Sequence, residues 1–280
     1  MTTAMFHIGH GASLVLGLVL AACSSPEDEV ASARADQVAA PAAPAAPAAP
    51  TAPAPGASNF TDNADEGEAN REFSYSWPAE VSAIPALTQR LTAERDKLLA
   101  KQKADWQESL REFADSDCFG CVNRDFLKSW DVVADIPRFL SLSWELYTYT
   151  GGAHGNSGSG GLVWDREANT ALAPKDLFVS EAALQDALYT RWCKALQRDR
   201  VTRLGMEIAD SSTFPCPDVA ELTVLLGSSN KTHFDRIGLI ADPYVAGSYA
   251  EGSYELTFPV TAQVLAAVKP RYKAAFALGK

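Results

Sequence analysis

The stretch from Phe139 to Asp165 constrains this chain more than any other. From Leu140 onward the residues alternate: Leu140, Leu142, Trp144 and Leu146 fall on one side, and Ser141, Ser143, Glu145, Tyr147 and Tyr149 on the other. A period of two held over that length predicts a half-buried strand. The alternation breaks into a glycine-dense segment, Gly151 to Gly161, carrying a single histidine, His154; Leu162-Val163-Trp164 then resumes an apolar run. The pattern predicts a long hairpin whose connecting loop spans Gly151–Gly161. It commits this part of the chain to a sheet with one buried face.

Around the hairpin the remaining elements follow. Phe73, Tyr75 and Trp77 alternate with serines and predict a short strand ending at Pro78. Pro85 suits a first helical turn, and Leu87, Leu91, Leu98, Trp106, Leu110 and Phe113 then form one apolar stripe on a long amphipathic helix. Phe126–Ala134 reads as a strand joined to the hairpin by the turn Asp135-Ile136-Pro137-Arg138. Ser180 is the expected N-cap of a second helix with Leu184, Leu188, Trp192 and Leu196 on its buried face. Strands are expected at Leu222–Leu226, Ile237–Ala241 and around Tyr254, Leu256 and Phe258, with Thr261 capping a closing helix. Strands paired by hairpins, with helices in separate blocks, predict the α+β class: a mostly antiparallel sheet with helices packed on one face.

The N-terminal 70 residues read differently. Ala12 to Ala22 is an uncharged apolar run too short for a stable membrane span. It ends in Leu20-Ala21-Ala22-Cys23, which resembles a bacterial lipobox, although Met1–Gly11 lacks the Lys or Arg of a usual signal. The expectation is a lipoprotein signal peptide over 1–22 and lipidation of Cys23. No aspartate follows the cysteine, which by resemblance to lipoprotein sorting favours an anchor in the outer membrane facing the periplasm. Residues 23–70 form the expected tether, rich in Ala-Ala-Pro repeats and acids; extended, it would reach on the order of 100 Å. One domain of roughly 200 residues is then expected over 71–280, divisible into 71–178 and 179–280.

The formal net charge of -11 is unevenly spread. Through Asn70 there are eight acids and one base, Arg34, leaving the domain only mildly acidic. No basic stripe exists, so nucleic acid is not an expected partner. There is no HExxH, no paired CxxC, no Gly-Lys-Ser/Thr loop and no Gly-x-Ser-x-Gly elbow. No cofactor or metal is expected. The domain holds two histidines, His154 and His233. A triad from His154, a loop serine and Asp242 can be drawn on paper, as in any chain of this size. The glycine loop admits two readings. Its glycines supply turns while His154 bonds locally, or Tyr149, Gly151, Gly152, His154 and Asn156 form a contact surface with Asp242, Tyr244, Gly247 and Tyr249 of the later loop.

Beyond Cys23, four cysteines remain: Cys118, Cys121, Cys193 and Cys216. In an exported protein an even number predicts disulfides. Of three possible pairings, Cys118–Cys121 with Cys193–Cys216 is favoured. Cys118-Phe119-Gly120-Cys121 could serve redox chemistry, but it follows a helix end rather than opening one.

Several pieces occur here in a recognisable order: the aromatic strand, the long helix, YTGGAHGN at Tyr149–Asn156, Lys175-Asp176-Leu177-Phe178, and DPYVAGSYAEGSYELTFP at Asp242–Pro259. Together they resemble the extracytoplasmic domain shared by the lysozyme-sensing anti-sigma factor RsiV and the non-catalytic part of the peptidoglycan deacetylase PdaC, a family of unknown function. The resemblance implies an α+β sheet domain outside the cytoplasm, with a lysozyme-like muramidase or peptidoglycan as the expected partner. The deacetylase's catalytic domain and the anti-sigma factor's sigma-binding helix have no counterpart among these residues. A lipid-anchored periplasmic binding module without catalysis is therefore expected. A periplasmic hydrolase with His154 as base, and a purely structural envelope lipoprotein, are the alternatives.

Overall fold

The computed structural model describes residues 56–116, 118–205 and 213–280, with nothing described of the Phe119 side chain. The expected signal peptide, Cys23 and the Ala/Pro tract lie outside the described residues. No helix among the described residues is long and apolar enough to cross a membrane.

Among the described residues, ten strands form two sheets. The larger contains β1 (Ser58–Thr61), β2 (Ala64–Glu66), β3 (Ala69–Trp77), β4 (Arg124–Asp135), β5 (Phe139–Tyr149), β6 (Asn156–Asp165) and β7 (Thr170–Leu172). Its order is β1-β3-β4-β5-β6-β7, with β2 also pairing β3. The smaller has the order β10-β9-β8, from β8 (Thr223–Gly227), β9 (Arg236–Ala241) and β10 (Tyr254–Pro259). Every pairing is antiparallel except β3 with β4. That parallel pair needs a crossover, which the helix α1 (Pro85–Glu112) supplies.

The α1 stripe behaves as its spacing predicts. Pro85 occupies the first turn, and Leu87, Leu91 and Trp106 are buried. They pack on Phe73, Tyr75, Trp77, Trp130, Leu140 and Leu142, the apolar face of the large sheet. The helix α2 (Glu181–Leu204) opens on Ser180, whose side chain accepts from the Ala183 N–H at 3.1 Å, and closes on Gly205 at φ 68°. Leu184, Leu188, Trp192 and Leu196 of α2 pack on Val224, Leu226, Ile237 and Leu239 of the small sheet. A short helix α3 (Ala262–Ala267), capped by Thr261, joins this second core. The α+β class holds, and each sheet carries its helices on one face. Two sheets stand where a single one was expected, because β8, β9 and β10 pair only among themselves.

Two boundaries differ from the expected ones. The sheet begins at Ser58, ahead of Arg71, because Asp62 is structural rather than merely solvating. It pairs with the buried Arg71 (2.5 Å) and with Lys103 (2.6 Å). The hydrogen bond from Lys103 and then the Arg71 guanidinium hold the Asp62 carboxyl below its ordinary range, against the opposing effect of burial. The second difference concerns the glycine segment. Only residues 150–155 connect the hairpin; Asn156 to Gly161 are strand residues paired with Thr148 to Ser143. Gly160 lies opposite Trp144, and a Cβ there would sit 2.3 Å from the indole ring. The glycines thus leave room for aromatic rings from β5 to lie across β6.

Candidate functional site

The disulfides join Cys118 to Cys121 and Cys193 to Cys216, the favoured pairing. The first bears on the hairpin loop. The Tyr149 hydroxyl donates to the Gly152 carbonyl at 2.7 Å and lies 3.2 Å from the Gly120 carbonyl. Gly151, at φ 96°, passes so near that a Cβ would come 3.0 Å from the Gly120 oxygen. A side chain is excluded there both by the backbone conformation and by this approach. Tyr149, Gly151 and Gly152 therefore seat the loop on the disulfide-closed turn.

The second loop is seated from β6. Asp242 accepts from the Ser159 N–H (3.1 Å) and hydroxyl (2.7 Å). The Val245 N–H returns to the Asp242 carbonyl at 3.0 Å, closing a turn with Pro243 and Tyr244 at its centre. Tyr244 adopts φ 72°, where glycine or asparagine would normally stand. A tyrosine there is strained by about 1–2 kcal/mol. Farther along, a Cβ on Gly247 would sit 2.6 Å from the Glu251 carboxylate. That carboxylate accepts from the Ser248 N–H (2.7 Å) and the Tyr254 hydroxyl (2.6 Å). Burial alone would raise the Glu251 carboxyl, but these hydrogen bonds outweigh it and lower the pKa. Arg200, buried on α2, donates to the Ala246 carbonyl and to the Phe214 carbonyl at 2.9 Å.

Seated in this way, the two loops bring three rings together. His154 stacks on Tyr249 with centroids 4.0 Å apart and planes 22° from parallel. Tyr244 lies 5.7 Å from Tyr249 and remains 52% exposed. His154 is exposed as well, and its Nδ1 is 2.8 Å from the Gly155 carbonyl, to which the protonated nitrogen donates. Asn156 is exposed at the head of β6 opposite Thr148. Of the nine residues expected to form a contact surface, His154, Tyr244 and Tyr249 make a joint aromatic patch. Tyr149, Gly151, Gly152, Asp242 and Gly247 hold the loops in place.

As chemistry, the patch offers ring faces and one imidazole edge. The drawn triad is not assembled: Asp242 is engaged by Ser159, and His154 bonds a backbone carbonyl. Among the described residues no group of three or more His, Cys, Asp or Glu is placed to hold a metal ion.

One part of the site escaped sequence reasoning. Ser157-Gly158-Ser159-Gly160 alternates with a period of two, which marks a strand with one polar face. That face lines a cleft between the sheets.

No curated protein matches the chain. It is similar to a DUF3298 family protein from Pseudomonas aeruginosa PAO1, with 20% identity over 80% of this chain and 97% of that one and a TM-score of 0.48. It is likewise similar to a member of that family from Bacteroides fragilis NCTC 9343, with 14% identity over 80% of this chain and 93% of that one and a TM-score of 0.48. Residues 65–157 match the family model described as Deacetylase PdaC. The matched stretch includes the aromatic strand β3, the helix α1 and the YTGGAHGN hairpin loop.

Proposed function

We propose that this domain is a non-catalytic binding module of the cell envelope, held to the outer membrane through Cys23 and facing the periplasm. Its patch of His154, Tyr244 and Tyr249 grips a lysozyme-like muramidase, with peptidoglycan as the competing ligand. The observation that carries the reading is Tyr244. A half-exposed ring held at φ 72° beside Tyr249 is a local strain that core packing does not explain, since the ring is largely outside the core. Rigid, amphipathic tyrosine area suits protein recognition. The muramidase itself is carried over from the resemblance to RsiV.

The test compares the parent chain with Tyr244→Gly and His154→Ala, measuring association with lysozyme and residual muramidase activity. Tyr244→Gly relieves the positive φ, so it should leave the unfolding midpoint unchanged or raise it slightly while weakening association at least tenfold. Lysozyme that fails to associate with the parent, or that binds both variants as tightly, overturns the reading. Turnover of peptidoglycan fragments abolished by His154→Ala would replace it with the hydrolase.

A further inference from the structure

The strongest feature outside the aromatic patch is a cleft of about 750 Å³ between the two sheets. One wall is the large sheet's face opposite α1, and the other is the small sheet's face opposite α2. This volume lies within the range of about 300–1,000 Å³ typical of small-ligand sites.

The floor follows from strand register. Ser76 pairs with Ser129, Ser129 with Glu145, and Glu145 with Ser159, so these four side chains form one row across β3, β4, β5 and β6. The adjacent row runs Ser74, Leu127, Tyr147, Ser157. With strands about 4.8 Å apart, this is a grid of serines around the Glu145 carboxylate, with the Ser159 hydroxyl donated to Asp242. Tyr147 stands at one end, its ring resting against Gly155, where a Cβ would come 2.3 Å from it. Leu225, Ile240 and Glu255 line the opposite wall.

Charge in the cleft is one-sided. Glu72, Glu145, Glu255 and the Ser159-bound Asp242 line it, and among the described residues neither Glu145 nor Glu255 has an ion-pair partner. Lys128 belongs to the lining strands, but its ammonium faces the other way. It pairs with Glu94 and sits over Trp144 (4.5 Å) and Trp130 (4.8 Å) on the α1 side. The Glu145 carboxyl is raised, first by partial desolvation, then by the negative charges of Glu255 and Asp131.

These features select a ligand by elimination. A neutral sugar chain leaves two facing, unbalanced carboxylates unexplained. An extended basic peptide could lay its side-chain stems on Leu127, Leu225 and Ile240 but would leave the serine hydroxyls unmet. Short hydroxyls demand a flat ligand rich in its own hydroxyls, and a tyrosine at the end of the grid suits stacking on a ring face. We propose that the inter-sheet cleft binds an oligosaccharide bearing free amino groups. The serine rows meet its ring hydroxyls, and Glu145 and Glu255 take its ammonium groups. This site adjoins the aromatic patch through the Ser159–Asp242 hydrogen bonds but does not depend on what the patch binds.

Calorimetric titration of the full chain tests it with three probes: a glucosamine tetramer, the matching N-acetylglucosamine tetramer and tetralysine. The free amine form should bind, and acetylation should weaken binding at least tenfold. The Glu145→Gln, Glu255→Gln double variant should lose at least tenfold for the glucosamine tetramer with its thermal midpoint unchanged or raised, because a like-charge pair is removed. Ser76→Ala with Ser129→Ala, which alters no charge, should also weaken the glucosamine tetramer, and Tyr244→Gly should not. Equal binding of the two sugars, tighter binding of tetralysine, or no binding of the glucosamine tetramer would each overturn the assignment.

Discussion

Gly160→Ala should destabilise this domain although it replaces glycine within a strand. By conformational entropy alone the change should help by about 0.5–1 kcal/mol. The structure reverses the sign. The new Cβ would lie 2.3 Å from the Trp144 ring, well inside the 3.0 Å below which such contacts are essentially never found. The indole must swing away, and it packs at the margin of the core under α1 and carries the Lys128 ammonium at 4.5 Å. Overpacking costs about 1–3 kcal/mol, and the disturbed cation–π contact adds about 0.5–1 kcal/mol. The balance is a loss of about 1–3 kcal/mol once the entropy gain is subtracted. Urea unfolding followed by far-ultraviolet circular dichroism would measure it. A double-mutant cycle sharpens the test, because in a Trp144→Leu background the penalty should largely vanish. An alanine variant as stable as the parent, or a penalty that persists without the indole, refutes the reasoning that aromatic rings fill the space left by the β6 glycines.

Three further outcomes follow from the described contacts. Asp165, buried at the far end of the hairpin, accepts from Arg138 at 3.0 and 2.7 Å and from the Glu167 and Ala168 N–H groups. Burial would raise its pKa, but these donors outweigh it and hold the carboxyl below its ordinary value. The folded pKa is thus below the unfolded one of about 3.9, so its contribution is complete above that pH and lost as pH falls through the folded value. Asp165→Asn should cost about 2–3 kcal/mol at neutral pH and flatten the acid limb of the stability curve in pH-dependent urea titrations. Arg200→Met should cost about 2–4 kcal/mol by removing the buried guanidinium's hydrogen bonds to the Ala246 and Phe214 carbonyls, and faster hydrogen exchange in the Tyr244–Tyr249 loop would register it. Replacing both Cys193 and Cys216, separated by 23 residues, should lower stability by about 3 kcal/mol in thermal melts. Replacing Cys118 and Cys121, separated by 3, should cost less globally but loosen the His154 loop they support.

Much of this architecture was legible locally. Ser180, the α1 leucines and the Leu140–Leu146 alternation act within a few residues of themselves, so periodicity and capping expose them. What stayed hidden was non-local. Whether β8 to β10 would join the large sheet depends on edges far apart in sequence, and no pattern within a strand encodes that choice. Asp62 looked like tail charge because its partners, Arg71 and Lys103, meet it only after folding. Ser157 to Gly160 was obscured because glycine signals turns more often than strands. The aromatic patch was half legible. Tyrosines and a histidine in glycine-rich loops suggested a surface, but the left-handed Tyr244 and the restraining Asp242–Ser159 bonds emerge only in three dimensions.

The lone parallel pairing sets an order of assembly. β4, β5 and β6 can zip through adjacent hairpins, whereas Phe73 of β3 meets Phe126 of β4 only after α1 has crossed the sheet. Closing that long loop is entropically costly and slow. The nascent meander therefore waits with its apolar side bare until the helix arrives, and the aggregation hazard in refolding is concentrated in that interval.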